Sequence, residues 1–129
     1  MKVLFDAIKA KFNIDNPLKT DLSGRLYFMQ APQTAVFPYC VYSPISDMYE
    51  YNFTADFENI VVQFSIFSTD ENAVNIESYF GHLKDLYDWG VLSVTGYTHV
   101  YMRREQSRLL KDDRAWHRQV DYRIFLEKN

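Results

Sequence analysis

The chain has 129 residues, 47% of them hydrophobic and 17% aromatic, with ten Tyr and ten Phe; a chain of this length buries roughly two-thirds of its unfolded surface and needs no staple. Its 14 basic residues against 17 acidic ones give a net charge of −3, which disfavours a general phosphate-binding surface. The lone cysteine, Cys40, rules out an internal disulfide and fits a reducing compartment, the apolar start of the chain meets Asp6 too soon for a secretory signal, and no apolar run approaches the roughly 18 residues of a membrane span.

Residues 2–13 read as a helix, because Leu4, Ile8 and Phe12 recur at spacing four with Val3 and Ala7 beside them. Residues 13–24 read as a polar connection containing Pro17. Arg25–Met29 is a short strand, and a loop over 30–37 leads to a second strand from Pro38 to Tyr42. Proline cannot donate to a ladder, so Pro38 and Pro44 bracket that strand or place it at an edge. From Ser46 to Asp56 the chain is polar and aromatic, with Tyr49, Tyr51 and Phe53 alternating, as in a hairpin tip or extended arm. The glycosylation pattern Asn52-Phe53-Thr54 reads as chance in a chain without a secretion signal.

Phe57–Phe67 is the clearest central strand. It sets Ile60, Val62, Phe64 and Ile66 on one face and Val61, Gln63, Ser65 and Phe67 on the other, so cover is expected on part of each. A second helix follows. Ser68, Thr69 and Asp70 offer cap oxygens, Ser68 and Glu71 have capping-box spacing, and Ala73, Ile76, Phe80, Leu83 and Tyr87 form one apolar stripe. Gly90 supplies the stop. Thr98–Arg104 and Trp116–Leu126 are two closing strands, and the charged stretch Glu105–Arg114 reads as a connection too long for a tight turn. Trp116 is expected to anchor the core. The expectation is one α+β domain over 1–129, with a mainly antiparallel sheet of about five strands and two helices packed on one face.

Chemistry-bearing motifs are scarce. The glycines stand singly, so no phosphate cradle assembles, and one cysteine cannot build the usual structural zinc sites. Cys40, inside a strand, reads as a buried inert thiol. His99 and His117 fall on the last two strands, where a cross-strand pairing would bring them near Asp112 and Asp113 as an acid–base or metal site; the alternative is ordinary surface histidines and a solvated turn. Two segments are candidate partner surfaces. One is Arg103, Arg104, Arg108, Leu109, Leu110, Lys111, Asp112 and Asp113, an apolar pair framed by charge. The other is the aromatic run Tyr49, Tyr51 and Phe53.

Taken in order, the amphipathic first helix, Arg25-Leu26-Tyr27, Ala31-Pro32, Phe37-Pro38-Tyr39-Cys40-Val41-Tyr42, the strand Glu58–Phe67, the second helix and Asp121-Tyr122-Arg123-Ile124 carry a resemblance. The chain resembles the small tail-completion, or head-to-tail joining, proteins of long-tailed phages and prophages, over nearly its whole length. The resemblance implies an α+β virion structural protein, made in the host cytoplasm, that assembles as a ring, a hexamer by the same likeness. It implies a place at the tail–head junction against the tail tube protein and the head completion or connector protein. It implies no enzymatic activity and assigns no catalytic residues; the motifs, charge and hydropathy read above add the expectation of no cofactor, no metal, no membrane and no sequence-specific nucleic acid. Two other readings stand beside it: a small ligand-binding or hydrolytic domain using His99, His117 and Asp113, and a non-viral adaptor module.

Overall fold

The computed structural model describes residues 2–51, 55–69, 73–111 and 115–129, with the side chain of Tyr51 outside the description. Its elements run α1 (Lys2–Asn13), α2 (Pro17–Leu22), β1 (Leu26–Phe28), β2 (Tyr39–Tyr51), β3 (Asp56–Ser68), α3 (Val74–Tyr87), β4 (Tyr97–Lys111) and β5 (Trp116–Lys128). The five strands form one sheet in the order β1-β2-β3-β5-β4. β2 and β3 make one long antiparallel hairpin, β4 and β5 another, and β3 joins them by pairing with β5.

The α+β class and the five strands agree with expectation, but the sheet is mixed rather than mainly antiparallel. β1 runs parallel to β2, Leu26 opposite Cys40 and Phe28 opposite Tyr42. Alternation reports which face a side chain takes and carries no information on strand direction. Among the described residues there are three helices, not two. The missing one is α2, whose start is written locally: the Asn16 side chain accepts from the Lys19 N–H at 2.9 Å, and Pro17 occupies the first turn.

The charged stretch from Glu105 is also not a loop. β4 continues to Lys111, with Gln106 opposite Asp121 and Lys111 opposite Trp116. Backbone pairing to β5 holds it as strand, although its side chains bury little. In the same way, β2 runs through the aromatic stretch to Tyr51, paired throughout with β3.

The core lies between the helix layer and one sheet face. Ile60, Val62, Phe64 and Ile66 of β3 and Val120, Tyr122, Ile124 and Leu126 of β5 meet Leu4, Ile8 and Phe12 of α1, Leu18 and Leu22 of α2, and Ile76, Leu83 and Tyr87 of α3. Phe64 centres an aromatic cluster, its ring 4.9 Å from Tyr87 and 5.6 Å from Tyr122. The phenols of Tyr42 and Tyr87 donate to the carbonyls of Phe5 and Ile8 at 3.1 and 2.9 Å, tying α1 to the sheet and to α3. No helix among the described residues lies on the opposite face, which is flanked near one end by the connection 29–38.

The C-terminal signal expected for α3 is not the one used, and its start is placed at Ala73. The helix begins after Ala73 without a side-chain cap, and Ser68 is the last residue of β3; Asp70 and Glu71 lie outside the described residues. At the other end Trp89, not Gly90, takes the left-handed conformation, at φ 54°. Gly90 is needed for space instead: a Cβ there would sit 2.9 Å from the Leu86 carbonyl oxygen. Trp116 is half-buried and packs at the margin of the core rather than anchoring it.

Candidate interaction surface

Four strands of 13, 13, 13 and 15 residues lie almost fully side by side, a slab about 40 Å long. The turn joining β2 to β3 lies at the end where Phe57 faces Glu127. The turn joining β4 to β5 lies at the end where Ser68 faces Trp116. The two candidate segments therefore sit at opposite ends of the sheet. Phe53, Asp112 and Asp113 of these segments lie outside the described residues.

β4 is an edge strand. The Trp89 N–H donates to the Met102 carbonyl at 2.9 Å and covers the edge at that point. Beyond it, Arg103–Lys111 has β5 as its one strand neighbour among the described residues. Arg104 lies 3.4 Å from Asp88 and over the Phe80 ring, and Arg103 lies 3.8 Å from Glu105. Arg108 donates to the Gln119 side-chain oxygen at 3.1 Å, and Lys111 sits over the Trp116 ring at 4.8 Å. The two leucines split. Leu109 packs against the core margin, while Leu110 is 39% exposed on the open face opposite His117.

Across the sheet, β2 is covered by β1 only as far as Tyr42. A bulge at Pro44–Ser46 follows, and the strand then runs out through Asp47, Met48, Tyr49 and Glu50, all exposed. Tyr49 is 57% exposed. Glu58 stands opposite Tyr49. Partial burial, a hydrogen bond to Asp47 and the like charge of Asp47 together raise its carboxyl to about 7, against a smaller opposing pull from Lys128.

The open face carries a polar bridge that motif reasoning did not single out. Asp121, 6% exposed, accepts from the Gln63 amide at 3.0 Å and the Gln106 amide at 2.8 Å. With Arg108, Gln119, Ser107 and Ile45 these side chains line a depression of about 340 Å³. Arg123 donates to Asn59 at 2.5 Å and pairs with Glu105. The signal was present in part, since Gln63 is a polar position within the apolar run Ile60–Ile66 and Asp121 stands between the buried Val120 and Tyr122.

The histidine site does not form. His99 faces Leu126 and His117 faces Phe67, about 30 Å apart along β5. They also lie on different sides of the sheet: Leu92 N–H donates to His99 Nδ1, while His117 stacks on Phe67 at 4.3 Å. No group of three metal-ligating side chains occurs among the described residues. Cys40 is fully buried, and burial pushes its thiol well above the usual range, so it is an inert packing residue.

An α+β slab with its polar and aromatic groups spread along ribbons and strand edges has the form of a surface-bearing protein rather than one built around a cleft. The chain belongs to the tail completion protein gp17 family, which it matches over residues 6–127. That is a family of structural phage tail proteins, and the role is that of a virion structural protein. Among solved structures, the chain is similar to one from the virion of a native gene transfer agent particle. The TM-score is 0.83 at 12% identity, covering 96% of this chain and 97% of that one. A second solved chain gives 0.64 at 11% identity, over 99% and 94%. No curated protein matches the chain by sequence.

Proposed function

We propose that this protein, a single domain over 1–129, completes the tail by assembling as a closed ring, a hexamer, at the tail–head junction, where it joins the tail tube protein to a head completion or connector protein. It acts by docking and not by catalysis. The observation that carries this reading is the pair of strand edges on opposite flanks of the sheet that no other strand covers among the described residues, β4 beyond Met102 and β2 beyond Tyr42. A ring needs two different edges that meet head to tail and close, and uncovered strand edges are the natural place for such addition. The ribbon Arg103–Lys111 with Asp112 and Asp113 supplies one edge, and the arm bearing Tyr49, Tyr51 and Phe53 supplies the other.

Electron microscopy of concentrated protein, alone and with isolated tail tubes, tests this. Rings, or caps seated on tube ends, are the expected result. Protein that forms neither under any condition refutes the reading.

A further inference from the structure

We propose that the edge between neighbouring copies is an electrostatic match: the acidic end of the β2–β3 hairpin of one copy docks on the basic outer edge of β4 of the next. This rests on the ring reading above and names the chemistry of its joint. Residues 44–58 hold four acids, Asp47, Glu50, Asp56 and Glu58, and no lysine or arginine. Residues 103–114 hold five basic residues against three acidic ones. The described parts of the two stretches lie on opposite flanks and at opposite ends of one sheet. A copy therefore carries opposite fields at opposite corners, and the field at one corner fits the other corner of a second copy better than it fits itself.

The two ends differ in how far their charge is already used. Arg103 and Arg104 face acids of their own chain, whereas Arg108 and Lys111 are held by neutral groups, the Gln119 amide and the Trp116 ring. Among the described residues, Arg108 and Lys111 thus face no acid of their own chain. On the other side Asp47 and Glu50 are exposed, and Glu50 has a neutral neighbour in Asn59, whose amide donates to it at 3.3 Å. Like-charged ends repel, so tail-to-tail and head-to-head pairs are disfavoured and the heterologous contact is selected. Exposed pairs of this kind set orientation and rate of encounter more than total affinity, and salt screens them.

Charge reversal of the full-length chain separates the outcomes, with ring formation and capping of tail tubes both read by electron microscopy and sedimentation. Reversing one edge, Arg108→Glu with Lys111→Glu, or the other, Asp47→Lys with Glu50→Lys, should raise the concentration needed for assembly by about tenfold or more, and raised salt should do the same to the natural protein. Combining all four changes should restore assembly to within about threefold, because the match is rebuilt with its signs exchanged. Thermal melting near that of the natural protein confirms that each variant is folded. Single-edge variants that assemble normally, or a combined variant that fails to recover, overturn this inference while leaving the ring intact. Loss of tube capping with self-assembly unchanged assigns the edge to the tube protein and overturns it equally. A natural protein that neither self-assembles nor caps tubes removes the ring reading and this inference together.

Discussion

Tyr87 offers the sharpest test of how the helix layer is fixed to the sheet. It is fully buried, its ring packs against Phe64 at 4.9 Å and Tyr122 at 6.3 Å, and its hydroxyl donates to the Ile8 carbonyl at 2.9 Å. Burial holds its phenol well above the usual range, so the group stays a donor at any working pH. Tyr87→Phe removes only the hydroxyl. Ile8 lies inside α1 and keeps its intrahelical bond, so no carbonyl is orphaned, and the expected cost is about 0.5–1.5 kcal/mol. Tyr87→Ala removes the ring as well and opens a cavity against Phe64, with an expected cost of about 3–5 kcal/mol. Urea unfolding followed by far-UV circular dichroism measures both, and the midpoint should move without a change of slope. A Phe variant as damaging as the Ala variant would show that the ring is not what packs α3. A Phe variant with no cost would show that the bond between α3 and α1 adds nothing.

The remaining predictions concern positions where the geometry fixes a sign. Gly90→Ala should destabilise by about 1–3 kcal/mol, because the new Cβ meets the Leu86 carbonyl oxygen at 2.9 Å, whereas Gly81→Ala, with open space around it inside α3, should stabilise by about 0.5–1 kcal/mol; thermal melts of the two should shift in opposite directions. Leu109→Ala should cost about 1–2 kcal/mol in a denaturant titration, while Leu110→Ala should cost under about 0.5 kcal/mol and weaken assembly instead. Glu58 has a folded carboxyl raised above its ordinary value of 4.5 to about 7. Its contribution to stability is therefore full below about pH 4.5 and is lost as pH rises through about 7. Glu58→Gln should match the natural protein at pH 4 and exceed it at pH 8 by about 0.5–1 kcal/mol, a figure discounted for solvent screening; equal stability at both pH values would remove the Asp47–Glu58 repulsion from the account.

What the sequence made legible was what packing alone dictates. The spacing of Leu4, Ile8 and Phe12 placed α1, and the alternation through Ile60–Ile66 placed β3 and its buried face. The stripe Ile76, Phe80, Leu83 and Tyr87 placed α3, although its ends rest on backbone geometry at Ala73 and Trp89. Two kinds of feature were hidden. Residues 105–111 are strand because β5 lies beside them, and a ladder held by backbone bonds leaves little mark on side-chain polarity. The parallel course of β1 depends on where the connection 29–38 returns the chain, which no periodicity encodes. The candidate surface was half-visible in the same sense. The basic and aromatic residues were identifiable as types, but their separation to opposite corners follows from the pairing of β3 with β5, a contact between distant parts of the chain.

The bridge from Gln63 through Asp121 to Gln106 also fixes how far the sheet itself can yield. It links three adjacent strands from both hairpins through one nearly buried carboxylate. Sliding β5 by a single position against its two neighbours would turn that carboxylate toward the hydrocarbon interior and strand two amides, a penalty of several kcal/mol. The long strands are thereby locked in step, and the sheet is a stiff plate whose two flanks keep a constant separation and angle.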